Sequence, residues 1–118
     1  QLFMSARFGK LEAVRELLRN GAATETQGGV LNRTALFEAV LRNYAEVTSL
    51  LLQNGACVTC FDTLGWTPLH SAGIHGSTEC VKLLLAHGAD VWAHRVGGDT
   101  ALHLTALRGN TDILHLML

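Results

Sequence analysis

The amino-acid sequence predicts an all-α repeat solenoid of helix-turn-helix units that are joined by short hairpin-like turns. The first observation is a period, because Thr34, Thr67 and Thr100 are spaced 33 residues apart and open similar segments. The second is that an apolar triplet follows each opening at the same distance, at residues 50–52, 83–85 and 116–118. The third is composition, since 48% of the 118 residues are hydrophobic and can build a continuous core between stacked units.

Residues 65–89 show the unit most clearly, with the sequence GWTPLHSAGIHGSTECVKLLLAHGA. Thr67 is of a type that caps the free amide groups at a helix start, and Pro68 suits the first helical position. Gly76 and Gly88 stand where two helical segments must end, and glycine adopts the left-handed conformation that such ends require. The unit is therefore predicted to be a turn followed by two short helices, whose apolar faces only neighbouring copies can cover.

The period divides a single domain, residues 1–118, into four approximate repeats, namely 1–28 and 95–118, which are incomplete, and 29–61 and 62–94. The first repeat lacks its opening turn and lies one residue out of phase, so that Leu2 and Gly9 correspond to Leu69 and Gly76. Its second helix is predicted from the helical spacing of its apolar residues, which are Leu11, Val14, Leu17 and Leu18.

The segments GWTPLH at 65–70 and ECVKLLLAHGADV at 79–91 together resemble the ankyrin repeat, and the similarity extends over the whole chain. This resemblance implies L-shaped units, stacked into a curved solenoid that binds other proteins and has no catalytic role. The second segment is also similar to the arrays of SOCS-box ubiquitin-ligase receptors, which would imply substrate recognition for a ubiquitin ligase. A scaffold or adaptor, a transcription-factor inhibitor and a cytosolic channel domain are the alternatives.

The second repeat departs from the family pattern at three positions. Ala35 replaces proline, Phe37 replaces histidine and Asn43 replaces the glycine that ends the first helix. Asparagine tolerates the left-handed region better than other non-glycine residues, so this change is mild. We expect Phe37 to be packed in the interior rather than hydrogen-bonded.

The charge balance and the cysteine content argue against several functional classes. The formal net charge of −1 argues against nucleic acid and an acidic membrane surface as partners. The apolar runs are shorter than the roughly 20 residues of a membrane span, and we identify no signal peptide. Three cysteines in a chain without the character of a small secreted domain indicate a reducing compartment. We therefore expect a cytoplasmic and/or nuclear protein.

The cysteines and histidines are candidates for a metal site. Cys57 and Cys60, followed by His70 and His75, have ligand types that could bind zinc. However, the two cysteines fall in an inter-repeat connection, and the resemblance implies that His70 ties its own turn to neighbouring backbone. Cys80 falls on an apolar helix stripe. We expect no metal, no cofactor and no enzymatic activity, and keep a zinc-stabilised or nucleic-acid-binding repeat module as the alternative function.

The resemblance places the exposed binding positions on the first helix of each repeat and on the turn tips. By register, the first helices contribute Arg7, Phe8, Leu41, Arg42, Ile74, His75, Leu107 and Arg108. The turns contribute Arg33, Phe61, Leu64, Trp66, His94, Val96 and Asp99. Together they predict an apolar groove with a basic rim, which would bind another protein or peptide segment that is apolar and has acidic or phosphorylated flanks. The alternative is that Leu41, Ile74 and Leu107 only fill contacts between adjacent first helices.

Two further expectations concern apolar residues near the C-terminal end. Trp92 stands in a connection, where we expect it to pack between turns. A solenoid needs a polar outer face on its end unit. Residues 113–118 are mostly apolar, so we expect either a piece of a longer protein or an uncapped C-terminal end that another chain contacts.

Overall fold

The computed structural model describes residues 2–75, 77–94 and 97–118. The first helices of the four repeats are α1 (Leu2–Arg7), α3 (Ala35–Leu41), α5 (Pro68–His75) and α7 (Ala101–Arg108). The second helices are α2 (Leu11–Arg19), α4 (Ala45–Gln53), α6 (Thr78–Ala86) and α8 (Thr111–Met117). Strands β1 (Gln27–Gly28) and β2 (Arg33–Thr34) pair antiparallel between the first two repeats. The predicted left-handed stop at Gly76 and the predicted binding residue Val96 lie outside the described residues.

The helices form two layers. The first helices α1, α3, α5 and α7 pack against one another in chain order, and the second helices α2, α4, α6 and α8 do the same. Each first helix also packs against the second helix of its own repeat, and the array measures 39 × 25 × 21 Å. This arrangement confirms the predicted all-α solenoid of helix-turn-helix units with hairpin-like turns.

Local signals in the sequence account for the ends of the helices. The Thr34 and Thr100 side chains accept hydrogen bonds from the backbone N–H groups of Phe37 and His103, and so cap α3 and α7. At the other helix ends, Asn43 has a φ of +59° and Gly88 a φ of +88°. The prediction that an asparagine replaces the left-handed glycine in the second repeat is therefore confirmed.

The core lies between the two layers and runs through all four repeats. Its fully buried side chains include Val14, Leu36, Leu51, Leu69 and Leu84, which come from both helix layers. Contiguous burial of this kind is what gives short helices their stability, because each is too short to be stable alone. The interior position of Cys80 on α6, expected from the apolar stripe, is confirmed.

Both Phe37 and Trp92 were predicted to be packed, and only the prediction for Phe37 is confirmed. Phe37 is 2% exposed, as expected, and the guanidinium of Arg33 lies 4.8 Å from its ring centroid. Trp92 is 58% exposed, so the prediction that it packs between turns is wrong. Its backbone N–H donates to Asp90 Oδ1, which orders the backbone of this connection without burying the indole.

The apolar residues of α8 and of the position after it divide between the core and the surface. Ile113 and Met117 are buried against the preceding repeat, whereas Leu118 is 83% exposed. None of the helices in the described parts of the chain has the length and apolar character that a membrane crossing requires.

Candidate functional site

A largely apolar pocket opens between the second and third repeats, where six of the predicted binding residues meet. It has a volume of about 220 Å³, and we refer to it as the inter-repeat pocket. The predicted residues in its wall are Arg33, Leu41, Leu64, Trp66, Ile74 and His75. Phe37 from α3 and Ser71 from α5 complete the lining, and neither residue belongs to the binding surface predicted from the sequence.

The buried carboxylate of Asp62 positions one side of this pocket. Its Oδ1 accepts hydrogen bonds from the backbone N–H groups of Leu64 at 2.9 Å and Trp66 at 3.0 Å. Its Oδ2 accepts one from Arg33 Nε at 3.3 Å. One fully buried side chain thus orients two apolar residues of the turn and the arginine that faces them.

A second buried carboxylate, Glu38 on α3, forms ion pairs with three arginines of the predicted basic rim. Its side chain is 3% exposed and lies 3.1 Å from Arg42, 3.7 Å from Arg33 and 3.9 Å from Arg7. A buried carboxylate is stable only when it is paired, and these contacts provide that pairing. The positive charge of the predicted basic rim is therefore partly neutralised by Glu38, which the sequence analysis did not identify.

Ser71 is a buried polar residue in the lining of the pocket. It is 1% exposed, and its Oγ has no hydrogen-bond partner among the described residues. The neighbouring His75 Nδ1 lies 3.0 Å from the Ser71 carbonyl oxygen, which places the imidazole at the pocket edge. Most buried hydroxyl groups are hydrogen-bonded, so the unpaired Ser71 hydroxyl is an exception among the described residues.

The sequence contains a pattern that could have identified Glu38 and Ser71 as candidate functional residues. Both occupy one register position of the repeat, which is filled by Met4, Glu38, Ser71 and Leu104 in the four repeats. Four different side chains at one position of a periodic helix indicate that the shared fold does not determine the residue there. Within the first helices, the predicted binding surface used only residues at the last turn, and so it leaves this position out.

The predicted first-helix residues at the two ends of the array do not line the inter-repeat pocket, although Arg7 reaches the Glu38 carboxylate. Phe8 is 58% exposed, and the Arg7 guanidinium lies 5.9 Å from its ring centroid. Leu107 is 79% exposed next to Arg108 at the end of α7. These positions stay predictions as partner contacts.

The remaining turn residues of the predicted surface are also outside the pocket. Phe61 is 63% exposed, and its carbonyl oxygen accepts a hydrogen bond from Gln27. His94 pairs with Thr100 in an isolated bridge, and Asp99 is adjacent to that bridge. The part of these residues in partner binding likewise stays a prediction.

The zinc ligand set considered from the sequence is not assembled. His70 is fully buried, with Nδ1 2.8 Å from Thr67 Oγ1 and Nε2 3.1 Å from the Asp99 carbonyl oxygen. Both ring nitrogens are thus engaged in tying the turn to neighbouring backbone, which is the role the family resemblance implied. Cys57 and Cys60 instead meet Glu25, with the three ligand atoms within 4.8 Å of one another.

Comparison with protein families identifies the repeat unit. A family model described as ankyrin repeats, in three copies, matches residues 2–95. A second, described as an ankyrin repeat, matches residues 97–118. A search of curated proteins finds no match.

Proposed function

Because the chain belongs to the ankyrin-repeat family, whose members are generally protein-binding modules, we propose that it is a non-catalytic module that binds its partner at the inter-repeat pocket. The partner is a peptide segment that places an apolar side chain in this pocket and an acidic or phosphorylated residue beside the arginines. The observation that carries the proposal is an apolar pocket whose wall includes Arg33, which shares the buried Glu38 carboxylate with Arg7 and Arg42.

The apolar part of the argument rests on the walls of the pocket. Leu41, Leu64, Trp66 and Ile74 are not fully buried, and they face a common volume of about 220 Å³. That volume accommodates a single large side chain, and aromatic residues and arginine are the types that dominate binding energy at interfaces. A leucine, methionine or aromatic side chain of the partner is therefore the expected anchor.

The charge of the rim decides the chemistry beside that anchor. Arg7, Arg33 and Arg42 carry three positive charges, and the carboxylates of Glu38 and Asp62 that contact them carry two negative charges. The local excess is one positive charge, and the side chains of Arg7 and Arg42 remain 42% and 35% exposed. An anionic residue of the partner would take this excess charge, whereas a basic one would be repelled.

The test is selection of peptide ligands from a random library by the wild-type chain. The expected consensus is one apolar anchor with an acidic neighbour, and synthetic versions with aspartate or phosphoserine at the neighbouring position distinguish the two anionic groups. Ile74→Glu should weaken binding of the selected peptide at least about tenfold, because it places a charge in the pocket. Arg42→Gln should also weaken it, and is preferred to Arg42→Glu, which would set a carboxylate against the buried Glu38.

The last repeat supplies matched controls. Leu107→Glu and Arg108→Gln change the register equivalents of Ile74 and Arg42 at positions outside the pocket. Circular dichroism must show that every variant is folded. If the Leu107 and Arg108 variants lose as much affinity as the Ile74 and Arg42 variants, the proposal that this pocket is the anchor site is wrong.

The finer expectations about biology rest on the resemblance and the composition alone. Substrate recognition for a ubiquitin ligase, a cytoplasmic or nuclear location, the absence of nucleic-acid binding and contact through the C-terminal end stay predictions. Identification of the natural partner by its match to the selected consensus would test the first of them.

A further inference from the structure

Glu25, Cys57 and Cys60 form a cluster in which two successive inter-repeat connections meet. Glu25 follows α2, and both cysteines follow α4, so the cluster lies apart from the inter-repeat pocket. The Cys57 backbone N–H donates to Glu25 Oε1 at 2.9 Å across a separation of 32 residues. The stacking of equivalent connections therefore places a carboxylate beside a Cys-x-x-Cys pair.

The geometry of the three side chains suits a small metal ion. Their ligand atoms all lie within 4.8 Å of one another. A tetrahedral zinc ion with Zn–S bonds of about 2.3 Å separates two sulfur ligands by about 3.8 Å, so only a small contraction is needed. Hydrogen bonds also orient the Glu25 carboxylate as a metal ligand. Thr24 Oγ1 and the Cys57 N–H both donate to it.

The donor atoms determine the type of ion. Two thiolate sulfurs select zinc and other thiophilic metals over magnesium or calcium, which prefer oxygen ligands. The sequence-based expectation was that the chain binds no metal, and it was argued from the two cysteines together with His70 and His75. Glu25 is outside that set, because it stands in the preceding connection, 32 residues before Cys57 and one residue short of the 33-residue period.

We propose that Glu25, Cys57 and Cys60 form a surface zinc site with three protein ligands and a fourth position open to water. Binding replaces the protons of both thiols with the metal ion, so each zinc ion taken up releases up to two protons to solvent. The bound ion would clamp two successive connections of the solenoid together. This inference is independent of the partner-binding proposal, since it uses none of the pocket residues.

The test uses the reduced, metal-free chain, titrated with Co²⁺ in the absence of oxygen. We expect a sulfur-to-cobalt charge-transfer absorption that saturates at one ion per chain and disappears when Zn²⁺ is added. Cys57→Ser and Cys60→Ser should each abolish the absorption, and Glu25→Gln should weaken Co²⁺ binding about tenfold or more. Cys80→Ser is the matched control, because Cys80 is buried on α6 and lies outside the cluster.

A second measurement needs no variant. Zn²⁺ should protect Cys57 and Cys60 of the wild-type chain from alkylation, as mapped by mass spectrometry of peptides, and a chelator should reverse the protection. The proposal is overturned if the reduced chain gives no charge-transfer absorption, if the absorption survives both cysteine substitutions, or if Zn²⁺ leaves alkylation of the two cysteines unchanged.

Discussion

The Arg33 guanidinium donates its Nε–H to Asp62 Oδ2 at 3.3 Å, although the two residues stand 29 positions apart in the chain. Asp62 is fully buried at its side chain, and its other oxygen holds the turn that carries Leu64 and Trp66. This contact joins two consecutive repeats at the wall of the inter-repeat pocket. It therefore couples the stability of the turn to the shape of the candidate binding surface.

Asp62→Ala should lower the free energy of unfolding by about 1–3 kcal/mol, because it removes the acceptor for two backbone N–H groups and the partner of Arg33. Asp62→Asn should lower it less, since an amide oxygen still accepts the two turn hydrogen bonds. Urea denaturation followed by circular dichroism measures both values. Equal losses for the two variants would contradict the role assigned to the turn hydrogen bonds.

Gly73→Ala should destabilise the chain by about 1–3 kcal/mol through overpacking between α5 and α7. A Cβ atom at this position would overlap Thr105 Oγ1, which is buried and donates to the Ala101 carbonyl oxygen. Adding Thr105→Ala should recover part of the loss, because it removes the atom that is overlapped. Thermal unfolding of the two single variants and the double variant gives the coupling, and strictly additive effects would show that the predicted overlap is absent.

Leu84→Ala should lower the free energy of unfolding by about 2–5 kcal/mol, because Leu84 is fully buried in the core and its truncation leaves a cavity. Lys82→Ala is the control on the same helix, since Lys82 is exposed and its pairing with Glu79 is at the surface. It should change stability by less than about 1 kcal/mol. A Leu84 variant as stable as the Lys82 variant would refute its assignment to the core.

The three cysteines should react with iodoacetamide in the order Cys57, Cys60, Cys80 in the metal-free chain. Burial raises the pKa of the Cys57 thiol, but hydrogen bonds with Cys60 and Thr59 outweigh this effect, and the net pKa is lowered. Burial and the neighbouring Cys57 sulfur raise the pKa of Cys60 to about 12. Burial also raises the pKa of Cys80, which is fully enclosed on α6 and so is the least accessible of the three.

The expected order of alkylation follows from the pKa values, because only the deprotonated thiol reacts with iodoacetamide. The thiolate is the nucleophile, so at neutral pH the lowered pKa gives Cys57 the largest thiolate fraction. Peptide mass mapping over time measures the order, and the chain in denaturant, where the three environments are lost, is the control. Faster labelling of Cys60 than of Cys57 in the folded chain would contradict the assignment.

Some features of the fold were predictable because their causes are local. A threonine before the first helical turn, a proline at that turn, and a glycine or asparagine at a helix end each constrain the backbone through neighbouring residues. Thr67, Pro68, Asn43 and Gly88 accordingly have the roles that the sequence predicted. Burial of Leu84 was also predictable, since helical spacing of apolar residues identifies the face that must be covered.

The failures concern contacts between repeats and the surface. Trp92 was expected to pack, but a connection offers little apolar area, and its neighbours leave the indole exposed. A zinc set of Cys57, Cys60, His70 and His75 was also considered from the sequence and argued against, but Glu25, which the stacking of repeats brings to the two cysteines, was not identified. In both cases the outcome depended on how one repeat packs against the next.

The sequence by itself determined the repeat, its helices, their ends and the apolar stripes, because these follow from backbone conformation and from periodicity within one unit. Only the tertiary structure decided that Glu38 lies beneath three arginines, that Asp62 links Arg33 to the next turn, and that Ser71 lines the pocket with its hydroxyl unpaired. The physical reason is that two of these contacts, Arg7 with Glu38 and Arg33 with Asp62, join side chains about one period apart. Their distances are set by the packing of whole helices, which no short stretch of sequence specifies.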